Sequence, residues 1–463
     1  MKAGSDNEGG GDGPIHQLGE RIDGLKRIPL KPSVIVAISL ASFFTYYDVS
    51  NYAYISPVLK STWGVTDTEI AAGASLTILG YVVGAFCITL LADSRGRRLA
   101  FMASIMLLGA GSILAALSQN MSQLMIFRLV TGVGIGSELA IASVYISEMS
   151  PRSKRGKYTS LLSVLGWLGL TASGPISLSL LQGHFVGGID SWRLVLGLAG
   201  VVALVSLPFR LQMPESPRWL VSKGKLQQAN AALQKIGVQP VSQPSAAVAP
   251  QPGQKATSPA SALRGIDLLK SRTALRRIIF LSAIWFLVLI PIYSALLLVV
   301  AYVNQGYTIS ESITINLLSG IGFVAGGAAA IALADRMERK YQVAAAGLLL
   351  GAGFVLRGLL VNDFAGLVIA GFIAFFANAW IVTALLTYTA ESFPTRVRSS
   401  AAGIVEGCSR GLAAVAPFVF ITLQPAGFMT MMSGIAAFSF VASAIAVFGM
   451  RTRGQSLEKL NRE

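Results

Sequence analysis

Long apolar runs, parted by short charged segments, make up most of the chain. Twelve stand out, at roughly 33–57, 69–92, 98–117, 124–147, 158–180, 193–212, 278–303, 312–334, 341–360, 365–388, 399–421 and 429–450. Each is close to or above the about 20 residues that a helix needs to cross a hydrocarbon core. None alternates apolar with polar residues as a barrel strand would. The pattern predicts an all-α membrane protein of twelve transmembrane helices. Residues 1–32 and 451–463 are polar and read as tails, the first of them disordered. Residues 221–277 divide the runs into two sets of six and pass through Gln-Pro-Val-Ser-Gln-Pro-Ser-Ala-Ala-Val-Ala-Pro-Gln-Pro-Gly. That composition cannot bury a core, so a mobile linker is expected, with short helices near 225–236 and 262–277. Two six-helix bundles follow, at 33–220 and 278–450.

The polar segments carry a repeat. Asp93-Ser-Arg-Gly-Arg97-Arg98 precedes Glu148-x-x-Pro151-x-x-x-Arg155, and Asp335-Arg-Met-Glu-Arg339-Lys340 precedes Glu391-x-x-Pro394-x-x-x-Arg398. The two Asp residues are 242 positions apart and the two Glu residues 243. A duplicated bundle is the sequence sign of a transporter that rocks its halves about a central site.

Composition narrows the class. Hydrophobic residues make up 53% and charged ones 13%, with a mean hydropathy of +0.63. A soluble chain would be nearer a quarter charged. The net charge of +15 is not spread as on a nucleic-acid binder. Arg95, Arg97, Arg98, Arg155, Arg218, Arg336, Arg339, Lys340 and Arg398 gather in alternate loops, which places those loops and both termini in the cytoplasm of a cell membrane. No nucleic-acid partner is expected. Residues 1–32 show no cleavable signal. Cys87 and Cys408 fall inside runs and the two His residues lie apart, so no disulfide framework, metal site or other cofactor is expected. No nucleophile–base set points to an enzyme, and a monomer in the bilayer is the expected state.

Charges inside the runs mark candidate chemistry. Asp48 lies mid-way along the first run, where a charge costs roughly 2.5–3.5 kcal/mol on insertion scales. Arg128, in the outer part of the fourth run, is its expected partner, because both can face one cavity at similar depth. Glu138 lies further along the fourth run. Glu406 and Arg410 stand four apart in the eleventh, on one helix face. Arg410 could hold a solute carboxylate or simply neutralise Glu406. Tyr47, Asn51, Trp167, Trp285, Tyr293, Asn316, Asn378 and Trp380 could line the cavity, the aromatic ones alternatively packing at the membrane interface. Gly132, Gly134 and Gly136 lack the strand and spacing of a nucleotide fingerprint and predict close helix packing.

Leu-Ala-Asp93-Ser-Arg-Gly96-Arg97-Arg98 resembles the loop signature of the major facilitator superfamily. Thr89 and Ser94 depart from it in the first copy, and Ile331 and Glu338 in the second. Arg128-x-x-x-Gly132-x-Gly134-x-Gly136, Tyr145-Ile-Ser-Glu148-x-x-Pro151, Pro214-Glu215-Ser216-Pro217-Arg218-Trp219-Leu220 and Tyr388-Thr-Ala-Glu391-Ser-Phe-Pro394 extend the resemblance to the sugar-porter and organic-ion branch, across nearly the whole chain. It implies the major facilitator fold and alternating access. It implies a cytoplasmic gate of Asp93, Arg97, Arg98, Glu148, Arg155, Glu215, Arg218, Asp335, Arg339, Glu391 and Arg398, in which the loop charges bond across the halves; positive-inside topology alone is the other reading. It also implies a proton switch at Asp48 and Arg128, or else a permanent ion pair.

Sugar porters of this branch carry Gln-Gln-x-x-Gly-x-Asn in the seventh run. Here that run reads Ser282-Ala-Ile-Trp-Phe-Leu-Val-Leu-Ile-Pro291-Ile-Tyr293. Aromatic-acid symporters carry Asp-Gly-x-Asp in the first run, of which only Asp48 remains, with Thr45 at the first Asp. The expectation is a proton-coupled symporter of a small organic acid. A proton-coupled sugar transporter, and a uniporter or transporter-like sensor without coupling, stay open.

Overall fold

The computed structural model describes residues 14–151, 155–182, 190–241, 271–334, 336–393 and 398–451. Six spans form the first bundle: α2 (Pro32–Trp63), α3 (Asp67–Arg95), α4 (Arg97–Leu117), α5 (Met121–Met149), α6 (Arg155–Gln182) and α7 (Ser191–Leu211), after a short α1 (Pro14–Asp23). Two short helices follow, α8 (Pro217–Ser222) and α9 (Leu226–Lys235). The second bundle holds α10 (Arg272–Ser294) with α11 (Leu298–Asn304), α12 (Ile309–Ala334), α13 (Arg339–Leu359), α14 (Phe364–Glu391), α15 (Arg398–Ala413) with α16 (Ala416–Leu423), and α17 (Phe428–Val447). Eleven described spans are long and apolar enough to cross a membrane, and α5 completes the twelve. Large apolar side chains such as Leu90, Ile126, Val205, Ile369 and Leu412 point outward all around the molecule. In water such a surface would be a liability; in lipid it is the matched solvent.

The halves repeat each other in detail. Thr66 and Glu69 cap α3 reciprocally: the Thr66 N–H donates to Glu69 Oε2 at 2.8 Å and the Glu69 N–H to Thr66 Oγ1 at 3.3 Å. Thr308 and Glu311 do the same for α12, at 2.8 and 3.2 Å. These boxes satisfy helix donors that nothing else would reach. Gly64 and Gly306, just before them, hold φ of 64° and 98°, in the left-handed region that favours glycine.

Glycines also fix the central crossing of each bundle. A Cβ on Gly132 would stand 2.2 Å from the Thr77 carbonyl oxygen, and one on Gly136 2.0 Å from that of Tyr81. On the other side of α5, a Cβ on Gly134 would stand 2.3 Å from the Leu108 nitrogen of α4. The triplet thus packs α5 between α3 and α4 at backbone distance, as its spacing predicts. Gly322 and Gly326 repeat the arrangement between α12 and α14.

Two spans are discontinuous. Pro291 removes a backbone donor in α10, and a 3₁₀ turn at Ala295–Leu297 separates it from α11. The eleventh span breaks at Ala414–Val415, before Pro417.

Two expectations need correction. Part of the tail expected to be disordered is the helix α1, whose Leu18 and Ile22 pack on Leu233, Val238 and Val241 behind α9. Its amphipathic pattern was hidden by polar neighbours on both sides. Residues 272–277 begin the seventh span rather than a separate linker helix. The Pro-rich stretch from 242 on lies outside the described residues.

Candidate functional site

A central cavity of about 240 Å³ opens between the bundles. It is smaller than the roughly 300–1,000 Å³ of sites for drug-sized ligands, so its occupant is a small solute. Among the expected residues, Arg128, Trp167, Trp285, Tyr293, Asn316, Asn378 and Arg410 line it. Tyr46, Ser50, Tyr54, Thr77, Tyr81, Phe323 and Phe375 also line it and were not expected.

Aromatic rings form one wall. Trp167 stacks on Phe323 at 5.3 Å between centroids, and Phe323 on Phe375 at 4.4 Å, with planes within 18° and 14° of parallel. Trp167 belongs to the first bundle and the two Phe residues to the second, so the stack crosses the interface. Opposite charge chemistry comes from Arg410. Its guanidinium lies 5.1 Å from the centre of Tyr81 of α3 and 5.6 Å from that of Trp285 of α10, a cation–π arrangement that also bridges the halves. Its Nη1 donates to Glu406 Oε2 at 2.6 Å. Glu406 itself does not reach the cavity wall.

Behind the wall, Arg128 Nη1 donates to Asp48 Oδ2 at 2.7 Å, and both side chains are essentially inaccessible, at 1% and 0%. Ser112 Oγ and Asn51 Nδ2 donate to Asp48 Oδ1 at 3.2 and 3.3 Å. Arg128 Nε donates to Thr77 Oγ1 at 3.3 Å. Arg128 thus lies between cavity and carboxylate. Asp48 does not share the cavity wall with it, contrary to the expectation that both would face it. A buried charge pair with every Asp48 oxygen bonded can be stable or switchable; loss of either partner strands the other.

Four further expected residues are elsewhere. Glu138 is fully buried inside the first bundle, where Arg210 Nη1 donates to its Oε2 at 2.9 Å, Arg210 Nη2 to its Oε1, and Ser104 Oγ to its Oε2 at 2.7 Å. Tyr47 turns away and donates to the Val195 carbonyl at 3.0 Å. Asn51 serves Asp48 rather than the cavity. Trp380 donates to Gln342 Oε1 at 3.4 Å.

The charged loops cluster at one end. Arg97 bonds Asp93 through Nη1 and Glu148 Oε1 through Nη2, the latter at 3.1 Å. Glu215 accepts from the Arg97 N–H at 2.8 Å and the Arg98 N–H at 3.2 Å, which caps α4 with a carboxylate against its positive end. Gly96 leaves room for it, since a Cβ there would stand 2.3 Å from Glu215 Oε2. Arg339 Nη2 and Nε grip Glu391 Oε1 and Oε2 at 3.0 and 3.1 Å. Arg218 bonds Asp23 at 2.8 Å and so tethers α1. Each of these bonds joins elements of one half. Asp335 and the side chains of Arg155 and Arg398 lie outside the described residues.

The halves are joined at the other end. Lys60 Nζ donates to Asp67 Oδ1 at 2.7 Å and to Asn304 Oδ1 at 3.5 Å, and Gln424 Nε2 donates to Asp67 Oδ2 at 3.0 Å. Gln182 Nε2 donates to Ser310 Oγ at 3.0 Å.

A family model described as "Sugar (and other) transporter" matches residues 34–463. The chain belongs to this family of the major facilitator superfamily. Among relatives, the niacin transporter NiaP of Acinetobacter baylyi is 26% identical, over 96% of this chain and 99% of NiaP. The inner membrane metabolite transport protein YdjE of Escherichia coli is 25% identical, over 96% and 98%. The fold matches the xylose transporter XylE of E. coli in a partially occluded inward-open conformation, with a TM-score of 0.73, 16% identity, and coverage of 92% of this chain and 99% of XylE. The family and its fold make this a multi-pass membrane transporter of sugar or metabolite type, and its relatives are transporters rather than enzymes.

Proposed function

We propose that this transporter carries a small organic acid, favourably one with an aromatic ring, by proton symport across a cell membrane, with the charged loops and both termini on the cytoplasmic side. The observation that carries this is Arg410, a guanidinium on the wall of a cavity with one aromatic side, gripped between one ring of each bundle. Planar bidentate donors suit a carboxylate, and the Trp167–Phe323–Phe375 stack suits a flat ring. Sugar hydroxyls would call for several amides, and Asn316 and Asn378 are the amides of the wall. The relative NiaP, a niacin transporter by name, fits the same chemistry.

Coupling is assigned to Asp48. While charged, it holds Arg128 at the back of the cavity. A proton on Asp48 removes the acceptor charge and frees Arg128 toward the cavity it lines. Solute binding at Arg410 draws Tyr81 and Trp285, and with them the two halves, together. The cytoplasmic gate then involves the loop clusters around Arg97 and Arg339, which switch from bonds within a bundle to bonds across the halves when that end closes. Competition tests the solute class: nicotinate or benzoate should displace a bound reporter acid from the purified protein, and their amides should not. Equal displacement by acid and amide, or displacement by xylose alone, would contradict the proposal.

A further inference from the structure

At the α3–α5 crossing of the first bundle the buried cation is Arg128, held by Thr77 and neutralised by Asp48. The second bundle repeats the frame and omits the carboxylate. Ser319 stands 242 positions after Thr77, Gly371 243 after Arg128, and Ile290 242 after Asp48. Yet the space beside Ser319 still holds a guanidinium, delivered from another helix. Arg357 of α13 places Nη2 3.0 Å from where a Cβ on Gly371 would lie, and that Cβ would be 2.0 Å from Ser319 Oγ. Arg357 is 0% exposed, between the rings of Phe354 and Phe375 at 5.3 and 4.9 Å. Its Nε, Nη1 and Nη2 all lack a hydrogen-bond acceptor among the described residues, and so does the fully buried hydroxyl of Tyr302, which is within electrostatic reach.

A guanidinium stays charged, and five unmet N–H bonds in a dry site are among the costliest features a fold can keep. Asp48 shows what the frame requires: one negative charge. We infer that Arg357, with the Tyr302 hydroxyl as a second donor, is a binding site for one monovalent anion, a halide or a carboxylate, supplied from outside the chain. Phe375 lies against both Arg357 and the central cavity, so a movement of that one ring connects them. The inference holds whichever solute is carried.

Thermal unfolding of the full-length protein in sodium sulfate, whose anion is divalent, with sodium chloride or sodium benzoate added, tests it. The Glu406→Gln/Arg410→Gln background removes the cation proposed to hold the solute and leaves Arg128 paired with Asp48, so that a benzoate response there that is lost on Arg357→Gln belongs to Arg357. A chloride-dependent rise of a few degrees identifies a halide site, and a benzoate-dependent rise in that background a carboxylate site. Either response should vanish in Arg357→Gln. Ile290→Asp, which supplies the missing carboxylate internally, should also remove it, and decides the matter if Arg357→Gln does not fold. No response to either anion, or a response that persists in Arg357→Gln or Ile290→Asp, overturns the assignment.

Discussion

The charge pairs inside the bundles are of three kinds, and each predicts a different mutant. Asp48–Arg128 borders the cavity, so Asp48→Asn, which mimics the protonated acid but cannot release a proton, should abolish gradient-driven accumulation while solute exchange persists. Concentrative uptake by that variant would remove Asp48 from the coupling step. Glu138–Arg210 is sealed in the first bundle. Glu138→Ala should cost about 3–5 kcal/mol by stranding Arg210, visible as a loss of thermal stability that leaves the solute affinity of the surviving protein unchanged. Arg410 lines the cavity and pairs with Glu406, which is partly buried outside the cavity wall. Arg410→Gln should raise KM for an acid roughly 10–100-fold, the loss of a charge-assisted bond of about 1.5–3 kcal/mol, and leave a neutral solute little affected. If the Glu406→Gln/Arg410→Gln double variant restores acid transport, Arg410 only balances its neighbour, and the sugar reading returns to first place. Most of these charges were legible in the sequence, because an ionisable residue in an apolar run is rare enough to stand out. Their partners were less so. Arg210 sits near the end of its run and reads as a boundary charge, and which face of a helix meets the cavity is invisible where the helix is apolar all round. On α2 the cavity face includes Tyr46, Ser50 and Tyr54, one residue out of step with Tyr47 and Asn51, which with Asp48 face into the bundle. Phe323 and Phe375 had a signal, seven after Asn316 and three before Asn378 on the same helix faces.

At the scale of the helix, packing rests on glycine and motion on breaks. Gly136→Leu would drive a side chain into the Tyr81 carbonyl, where backbone rather than a flexible side chain stands in the way. The variant should lose the α3–α5 crossing and with it a monodisperse species in size-exclusion chromatography; normal folding would show that the crossing is loose. The runs located all twelve spans, since a length of about 20 apolar residues is enough to predict one. The interruptions at Ala295–Leu297 and Ala414–Val415 were not legible. Pro291 and Pro417 mark them only in hindsight, because Pro57, Pro175 and Pro208 sit inside spans that continue. The turn at Ala295–Leu297 places Ala295 and Leu296 on the cavity wall, where unwound backbone is tolerated because it lines a space rather than lipid.

For the whole molecule, the repeat of 242 positions carried the architecture, and the structure shows it down to paired capping boxes and glycine crossings. What the repeat could not show is the state. Hydrogen bonds among Lys60, Asp67, Asn304 and Gln424 join the bundles at one end, while at the other Arg97 bonds Glu148 and Arg339 bonds Glu391, each pair within one bundle. In the proposed gate, Arg97 and Arg339 exchange partners as the charged end closes, which ties the rocking of two bundles to a few loop side chains. In the proposed function this motion moves an acid together with a proton. Uptake of radiolabelled nicotinate into proteoliposomes, with an inward proton gradient and with that gradient collapsed by an ionophore, tests it most directly. Accumulation above the outside concentration that disappears with the gradient is the predicted result. Uptake that only equilibrates in both conditions, or accumulation of xylose in place of the acid, would contradict it.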